Sequence, residues 1–455
     1  MSEPRLVIVG AGPAGARAAE TLVRHGLKPV VIDEGMRGGG QIYRRPPPGF
    51  ARRAKSLYGF DAGKARRLHA AFDALAGRID YRPETLAWNV SRGAVHTLGD
   101  GVTGTAAFDA LILATGATDR TIPFPGWITP GVFTLGGAQV ALKSQGCAVG
   151  RRTAFVGTGP LLYLVAWQYA KAGAGVAAVI DSAPAAAKRR ALPGLLAGGA
   201  ALAKGLFYVA ALRARGVPIA EGALPAEVIG GDHVTALRYR DGQGRAREVA
   251  CDAVATGYGL RSETQLADLA GCAFDFDAAR RQWLPAADGD GRANVPGVYL
   301  AGDGAGIAGA DAAEARGELA ALALVADLGE KVSRARPVAL RRRLARLARF
   351  RAGLEAAFPF PAAFAAALDD DAVLCRCEAI TAGALRAAAR DLGAGELNRA
   401  KAFTRIGMGR CQGRVCGAAA AEVLADACGV AVAGVGRLRG QAPVKPLPLA
   451  LDAAE

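Results

Sequence analysis

The chain opens on a short apolar run at residues 5–9. It breaks at the glycine turn Gly10-Ala11-Gly12-Pro13-Ala14-Gly15 and continues into an alanine-rich segment. A second apolar run, LKPVVID, ends at Asp33. Runs this short, bounded by glycine, predict buried strands, and the segment between them predicts a helix. Strand, glycine turn, helix, strand is the opening half of a doubly wound nucleotide-binding fold. FDALILATGA at 108–117 predicts a further strand running into a small-residue turn. The pattern then restarts: RTAFVGTGPLLYLVAWQYAKAG at 152–173 is again strand, turn and helix, and GVAAVID leads to Asp181. CDAVATGYG at 251–259 echoes ALILATGAT, and VPGVYLAGDGAG at 295–306 is a strand ending in Gly302-Asp303. Internal echoes of this kind predict two related α/β folds in place of one long domain.

Beyond about residue 330 the pattern changes. KVSRARPVALRRRLARLARFRAG is strongly basic with apolar residues at helical spacing, which predicts an amphipathic connector, either a solvated helix or a contact for a partner protein. A compact segment of about 50 residues carrying four of the eight cysteines follows, and a proline-punctuated tail ends the chain. The expected division is 1–125 with 290–330, 126–289, 331–370, 371–430 and 431–455. Residues 191–212 are the least polar later stretch, but Pro193, four glycines and Lys204 favour a buried or amphipathic helical region over a membrane span.

At 455 residues the chain exceeds one growing core, and 51% hydrophobic with 21% charged residues supports large buried interiors. The formal charge of +15 raises nucleic-acid binding, yet only 6% of residues are aromatic and no reader motif is present. No nucleic acid is expected; acidic small molecules, an acidic partner or a membrane surface explain the charge equally well. Eight cysteines are too few for a disulfide scaffold. The opening MSEPRLVIVGAGPAG lacks an export signal's order of regions, so a cytoplasmic protein without a transmembrane segment is expected, with peripheral association at the inner membrane left open.

Gly10, Gly12 and Gly15 make GxGxxG in its strand-to-helix context: a tight turn, close approach of a pyrophosphate, and close helix packing. The helix N-terminus offers free N–H groups to phosphates. Asp33 lies 18 positions after Gly15 with Glu34 beside it; either can accept from a ribose, and spacing favours Asp33. Asp303, glycine-flanked after VYLA, suits a carboxylate near a ribityl chain, and the ATG at 114–116 brings Thr115 and Gly116 into the same set. In the second fold Gly157 and Gly159 repeat the fingerprint, but Leu162 replaces the third glycine and should crowd the helix–strand approach. That domain is left open to weak NAD binding, another nucleotide or none, with Asp181 either a ribose contact or a solvated strand-end carboxylate.

Cys375 and Cys377 are separated by one residue, Cys411 and Cys416 by four, with 33 residues between the pairs. Four thiolates suit zinc or iron–sulfur. The one-residue spacing is unusual for structural zinc, and a redox context favours a cluster that carries single electrons. Cys147, Cys251, Cys272 and Cys428 have no paired spacing and read as buried small residues. The four histidines, His25, His69, His96 and His233, fall outside the fingerprints, and no catalytic residue is assigned.

On these motifs residues 4–330 resemble the glutathione-reductase-like class of flavoproteins with two dinucleotide-binding domains. The resemblance implies FAD held by the first fingerprint (Gly10, Gly12, Pro13, Gly15), by Asp33 or Glu34, by Thr115 and Gly116, and by Gly302 and Asp303. GGQIYR at 39–44 narrows it, since Gly39, Gly40 and Gln41 would lie near the flavin. No CxxC follows Gly39-Gly40, so the redox disulfide of the disulfide reductases is absent. Residues 373–428 resemble the bacterioferritin-associated-ferredoxin-like [2Fe-2S] domain, which implies Cys375, Cys377, Cys411 and Cys416 as ligands. Gly413 and Gly417 would admit backbone amides, and Arg414 would favour the electron-rich cluster. A small, mainly helical C-terminal domain is expected.

The whole assembly resembles the alpha-type subunits of opine oxidases (octopine and nopaline type), hydroxyproline dehydrogenases and hydrogen cyanide synthase. That resemblance implies an FAD-containing beta subunit that oxidises an amino-acid-like substrate and passes electrons to a quinone, cytochrome or other carrier. It also leaves room for a small third subunit, with an additional flavin at the interface. The alternatives are an NAD(P)H-dependent ferredoxin or acceptor reductase, a component of a cyanide-forming enzyme, or a non-catalytic scaffold.

Overall fold

The computed structural model describes residues 3–50, 52–448 and 452–453. Strands Leu6–Val9, Val30–Ile32, Asp80–Arg82, Ala110–Leu113 and Val298–Leu300 form a parallel sheet, with Leu6–Val9 at its centre between Ala110–Leu113 and Val30–Ile32. All four residues of Leu6–Val9 are buried because both faces are covered. Leu6 and Ile8 pack with Ala14, Ala18 and Leu22 of helix Pro13–Arg24 and with Leu324 of helix Ala310–Asp327. Val7 and Val9 face the other way, onto Val90 and Val95 of the antiparallel strands Leu86–Ser91 and Ala94–Gly99.

The second lobe repeats the plan. Its parallel sheet runs Ile219–Glu221, Gly175–Asp181, Arg152–Thr158, Ala253–Tyr258, Val132–Thr134. A three-stranded antiparallel sheet from 224 to 250 accompanies it. Strands Ala117–Asp119 and Leu260–Ser262 pair antiparallel where the chain enters and leaves this lobe, forming a hinge. Leu266, Ala267 and Cys272, inside the expected 126–289 unit, pack with Val7 and Val9 in the first lobe's core. The chain has therefore already returned to the first lobe soon after Ser262.

The basic connector is the helix Ala335–Ala357. Arg336 forms a two-point ion pair with Glu318, and Arg341 with Asp290, while Leu340 and Ala357 are buried. Residues 191–212 hold two helices, Leu192–Leu196 and Ala200–Arg213, separated at Gly198-Gly199. No helix among the described residues is long and apolar enough to cross a membrane.

The C-terminal segment is mainly helical: a short hairpin (Val373–Cys375 with Ile380–Thr381) and helices Ala382–Leu392, Leu397–Thr404 and Gly417–Cys428. Its core, with Leu374, Leu385, Ile406 and Val423, also takes in Ile122 and Tyr258 from beside the hinge. Those shared apolar contacts dock it on the hinge. The expected tail is not loose over its described part: Val444 is buried and its N–H donates to the Trp88 carbonyl at 3.1 Å. Residues 449–451 and 454–455 of that tail lie outside the described residues.

Candidate functional site

The first fingerprint is built by close backbone contact. A β-carbon at Gly15 would stand 1.7 Å from the Gly10 carbonyl oxygen, so only glycine lets helix Pro13–Arg24 start this near the strand end. Asp33 ties that loop down: its carboxylate accepts the Ala11 N–H at 2.5 Å and the Gly35 N–H at 2.6 Å. Burial pushes the Asp33 pKa up from the ordinary carboxylate value, and the two amides oppose that shift. Glu34 is exposed and turned away, in an ion pair with Lys445 from the tail. Of the two acids, Asp33 is the one at the loop.

The Gly39-Gly40 turn lies on the same loop. Gly39 N–H donates to the Ala11 carbonyl at 2.9 Å, and Gly40 stands against Gly12 and Pro13. Gln41 departs from this: it is exposed, and its side-chain oxygen accepts from Arg44 at 2.8 Å. Gly302 and Asp303 form a tight turn after Val298–Leu300, where one Asp303 carboxylate oxygen accepts the Ala308 and Gly309 N–H groups at 2.8 and 3.1 Å. Thr115 donates to the Glu263 carbonyl at 2.6 Å, while the Gly116 carbonyl accepts the Glu263 N–H at 3.0 Å. The glycine loop, the Gly39-Gly40 turn, ATG and Gly-Asp thus converge at the carboxyl ends of the first sheet's strands, and these residues fit a flavin dinucleotide.

In the second fold the acidic residue that follows the fingerprint is held by neighbouring groups. Asp181 is fully buried, contrary to a solvated carboxylate. It accepts from Thr158 Oγ1 at 2.9 Å, Tyr163 Oη at 2.7 Å, Ala183 N at 2.9 Å and Lys188 Nζ at 2.6 Å. Lys188 also reaches Glu221 at 2.6 Å. A carboxylate so occupied is a structural hub. Leu162 does not hold the helix off, because its side chain is fully buried in the lobe core with Phe155 and Leu135.

Four of the five cysteines of the C-terminal segment, Cys375, Cys377, Cys411 and Cys416, come together in two pairs. Cys416 lies beside Cys375, and Cys411 beside Cys377. The neighbouring Cys416 thiol, followed by the backbone N–H groups of Gly407, Glu378 and Cys377, lowers the Cys375 pKa to about 5. The neighbouring Cys375 and burial raise Cys416. Among the described residues no three His, Cys, Asp or Glu side chains converge on a single metal-ion point. Paired sulfurs held by amide donors fit a two-iron cluster. Gly409 is pressed on this site, where a β-carbon would come within 2.2 Å of the Cys377 β-carbon. Of the remaining thiols, Cys251 and Cys272 are buried, but Cys428 is half-buried and Cys147 exposed. Cys147 follows the end of a helix, too near the surface to be covered, and its sulfur reaches the Ala141 carbonyl at 3.8 Å.

The cluster loop is fastened to the hinge carbonyl by carbonyl. Gln265 donates to Gln412 O at 2.6 Å, Arg261 to Gly413 O and Arg414 O at 3.1 and 3.0 Å, and Thr121 to Val415 O at 2.8 Å. Arg414 pairs with Glu263 at 2.5 and 3.3 Å and also binds the carbonyls of Cys411 and Val444. Its charge is therefore neutralised by Glu263, which corrects the expectation that Arg414 favours the reduced cluster. Glu263 touches both Arg414 and the Thr115-Gly116 turn, so one residue joins the cluster loop to the flavin motif. Arg261 and Glu263 belong to no motif, and only their place beside the hinge marks them.

Residues 4–323 match the pyridine nucleotide-disulphide oxidoreductase model, and residues 373–426 the BFD-like [2Fe-2S] binding domain. The chain belongs to the pyridine nucleotide-disulphide oxidoreductase family. It is an oxidoreductase carrying FAD- and [2Fe-2S]-binding domains. It is 38% identical to the A subunit of opine oxidase from Agrobacterium tumefaciens (strain Ach5), over 98% of this chain and 90% of that protein. It is 33% identical to the HcnB subunit of hydrogen cyanide synthase from Pseudomonas aeruginosa, over 98% of this chain and 97% of that protein. The fold matches L-proline dehydrogenase from P. horikoshii with a TM-score of 0.72 at 20% identity, over 98% of this chain and 79% of that one. This flavoprotein is thus a flavin- and iron–sulfur-linked subunit related to those of opine oxidase and hydrogen cyanide synthase.

His25 and His233 are exposed, His69 Nε2 is held at the Tyr43 carbonyl at 2.8 Å, and His96 at Ser91 at 2.9 Å. Lys143, absent from every motif, is buried beneath GGQIYR, with its ammonium 3.3 Å from the Ile42 carbonyl. Burial lowers its pKa to about 8.

Proposed function

We propose that the chain is the alpha subunit of a heteromeric amine dehydrogenase that oxidises an opine or a D-amino or imino acid such as hydroxyproline. Its role is to relay electrons between flavin and [2Fe-2S] and onward to a respiratory or other carrier. Oxidation of the substrate C–N bond to an imine, and its hydrolysis, belong to an FAD-containing partner subunit. The observation that carries the relay is the fastening of the cluster loop to the hinge through Glu263, which also holds Thr115 and Gly116. When bound, the flavin supplies two-electron chemistry and the cluster one-electron transfer. The chain's own residues hold both: Asp33 orders the glycine loop, Asp303 orders the turn beside it, and Cys375, Cys377, Cys411 and Cys416 ligate the cluster. The substrate class rests on likeness to the A subunit of opine oxidase. The engaged carboxylate of Asp181 speaks against NAD(P)H as the electron source, because a ribose would have to displace Tyr163 or Lys188.

The test is anaerobic flavin and iron–sulfur absorbance of the native assembly and of the isolated chain. Each is challenged separately with hydroxyproline isomers, octopine, nopaline, glycine and NAD(P)H. Bleaching by an opine or imino acid in the assembly alone supports the proposal. Bleaching by glycine with cyanide release would move it to the cyanide-forming class. Rapid bleaching of the isolated chain by NAD(P)H would replace it with a reductase.

A further inference from the structure

Residues 191–212, the least polar later stretch of the chain, form two helices whose inner residues are pinned to the second lobe. Leu195 and Leu202 join Ala191 and Ala357 in one apolar cluster, and Tyr208 and Leu212 enter the lobe core with Phe155. The outer residues have no such cover. Leu192 and Leu196 are exposed on the first helix, and Ala203, Leu206, Phe207 and Ala210 on the second. Positions 203, 206, 207 and 210 make one stripe at helical spacing. Phe60 of the first lobe, also exposed, meets Phe207 edge-on at 5.2 Å between ring centres. A helix apolar on every side is ordinarily buried on every side, and a contiguous exposed apolar patch marks an interaction site. The patch has no free polar side chain. Only Lys204 and Tyr208 are polar among residues 191–212; Lys204 pairs with Asp61 at 2.8 Å, and Tyr208 is buried.

The chain around this patch is basic. Residues 182–220 hold six basic side chains and no acidic one, and residues 331–354 hold nine and none. The two stretches pack together, with Gly194 against Gly353 and Gly198 against the Phe350 ring. Acids from elsewhere answer some of these cations, as Glu221 does Lys188 and Asp61 does Lys204. Arg189 and Arg190, just before the first helix, Arg213, at the end of the second, and Arg349, beside Gly194, are exposed without a carboxylate partner among the described residues. A second copy of this chain would set like charge against like. A protein interface carries about one hydrogen bond per 100–200 Å², and the apolar stripe offers no side chain to make one. Hydrocarbon asks for none, and anionic headgroups match the arginine rim. The second helix has 14 residues. At about 21 Å it is shorter than a hydrocarbon layer of about 30 Å, so it can lie along a bilayer but not cross it. We propose that the outer face of helices Leu192–Leu196 and Ala200–Arg213 docks on an anionic lipid surface. Leu192, Leu196, Leu206 and Phe207 enter the acyl boundary, and the arginines meet the headgroups. The inference is independent of the relay reading, since docking is measured without turnover.

The test is flotation of the full holo-chain with vesicles of phosphatidylcholine alone, and of phosphatidylcholine with about one-third phosphatidylglycerol, at low and high salt. Binding to the anionic vesicles is expected, weaker on neutral ones and weakened by salt. Leu196 and Leu206 are 63% and 61% exposed, so replacing them by glutamine removes little packing within the chain. Leu196→Gln and Leu206→Gln should each weaken the partition by about tenfold, the worth of burying a leucine. Arg189→Gln and Arg190→Gln should each weaken it by about fivefold on anionic vesicles and leave binding to neutral ones unchanged. Flavin and cluster absorbance, with the urea midpoint, show that each variant is folded. A wild-type chain that does not float with anionic vesicles at low salt would overturn the proposal. So would wild-type flotation of the double leucine variant, since that marks attraction by charge alone. If that variant floats normally but sheds the FAD-containing partner from the native assembly, the face belongs to a protein and the proposal falls. Normal flotation with no bleaching by any amine would instead sink the relay reading and leave this proposal standing.

Discussion

Replacing Arg414 by methionine removes the guanidinium that fastens the cluster loop to the hinge. The Glu263 carboxylate then remains in a site where the residue is only 9% exposed, with the Gln265 N–H at 3.2 Å as its remaining donor. Removing one partner of a buried ion pair costs about 3–5 kcal/mol, because the other charge is stranded. The carbonyls of Cys411 and Val444 also lose their donor, at about 1 kcal/mol each where water cannot replace it. The Arg414 and Glu263 side chains are 13% and 10% exposed, so the low end applies and a loss of about 3 kcal/mol is expected. Arg414→Met with Glu263→Met removes both charges from the same space and should recover all but about 1 kcal/mol. The assay is urea unfolding of the holo-chain at neutral pH, with cluster absorbance and flavin fluorescence followed separately. The cluster transition should move first in the single variant and return in the double. If the double falls as far as the single, the pair is not what holds the loop, and the bridge through Glu263 is wrong.

Three other outcomes are expected. Gly15→Ala drives a β-carbon into the Gly10 carbonyl oxygen, and a strain of about 1–3 kcal/mol should weaken FAD retention by tenfold or more, read as the flavin-to-protein ratio after gel filtration. Cys411→Ser should abolish or weaken the [2Fe-2S] EPR signal while leaving most of the FAD; an unchanged cluster spectrum would contradict the ligand assignment. Lys143→Met probes pH dependence: the folded pKa of Lys143, about 8, lies below the ordinary lysine value of 10.5, so the unfolded chain binds the extra proton between them. Wild-type stability should therefore rise relative to the variant from about pH 8 to 10.5, by about 3 kcal/mol in total, measured as urea midpoints; parallel profiles would refute it.

Local grammar in the chain was enough to announce both cofactor sites. Glycine turns after apolar runs place Gly10, Gly12 and Gly15 at a strand end, because only glycine tolerates such backbone approach, and that requirement is written in residue identity alone. Cys375, Cys377, Cys411 and Cys416 drew attention for a similar reason: thiolates at set spacing are a chemical statement before they are a structural one, and a [2Fe-2S]-binding domain spans them. What depends on long-range contact was not legible. Gln41 sits in a motif, yet Arg44 holds it on the surface. Asp181 stands where a ribose contact is expected, yet Tyr163 and Lys188 consume it, and nothing in their spacing announces that. Leu162 looks obstructive until the core that receives it is in view. Arg414 carries its charge wherever it points; only its pairing with Glu263, 151 positions away, reveals that this charge is neutralised. Spacing along the chain determined which chemistry the protein can hold. Which side chains remain free to use it was decided by tertiary contacts, because a charge or a hydrogen-bonding group acts according to what lies against it in space.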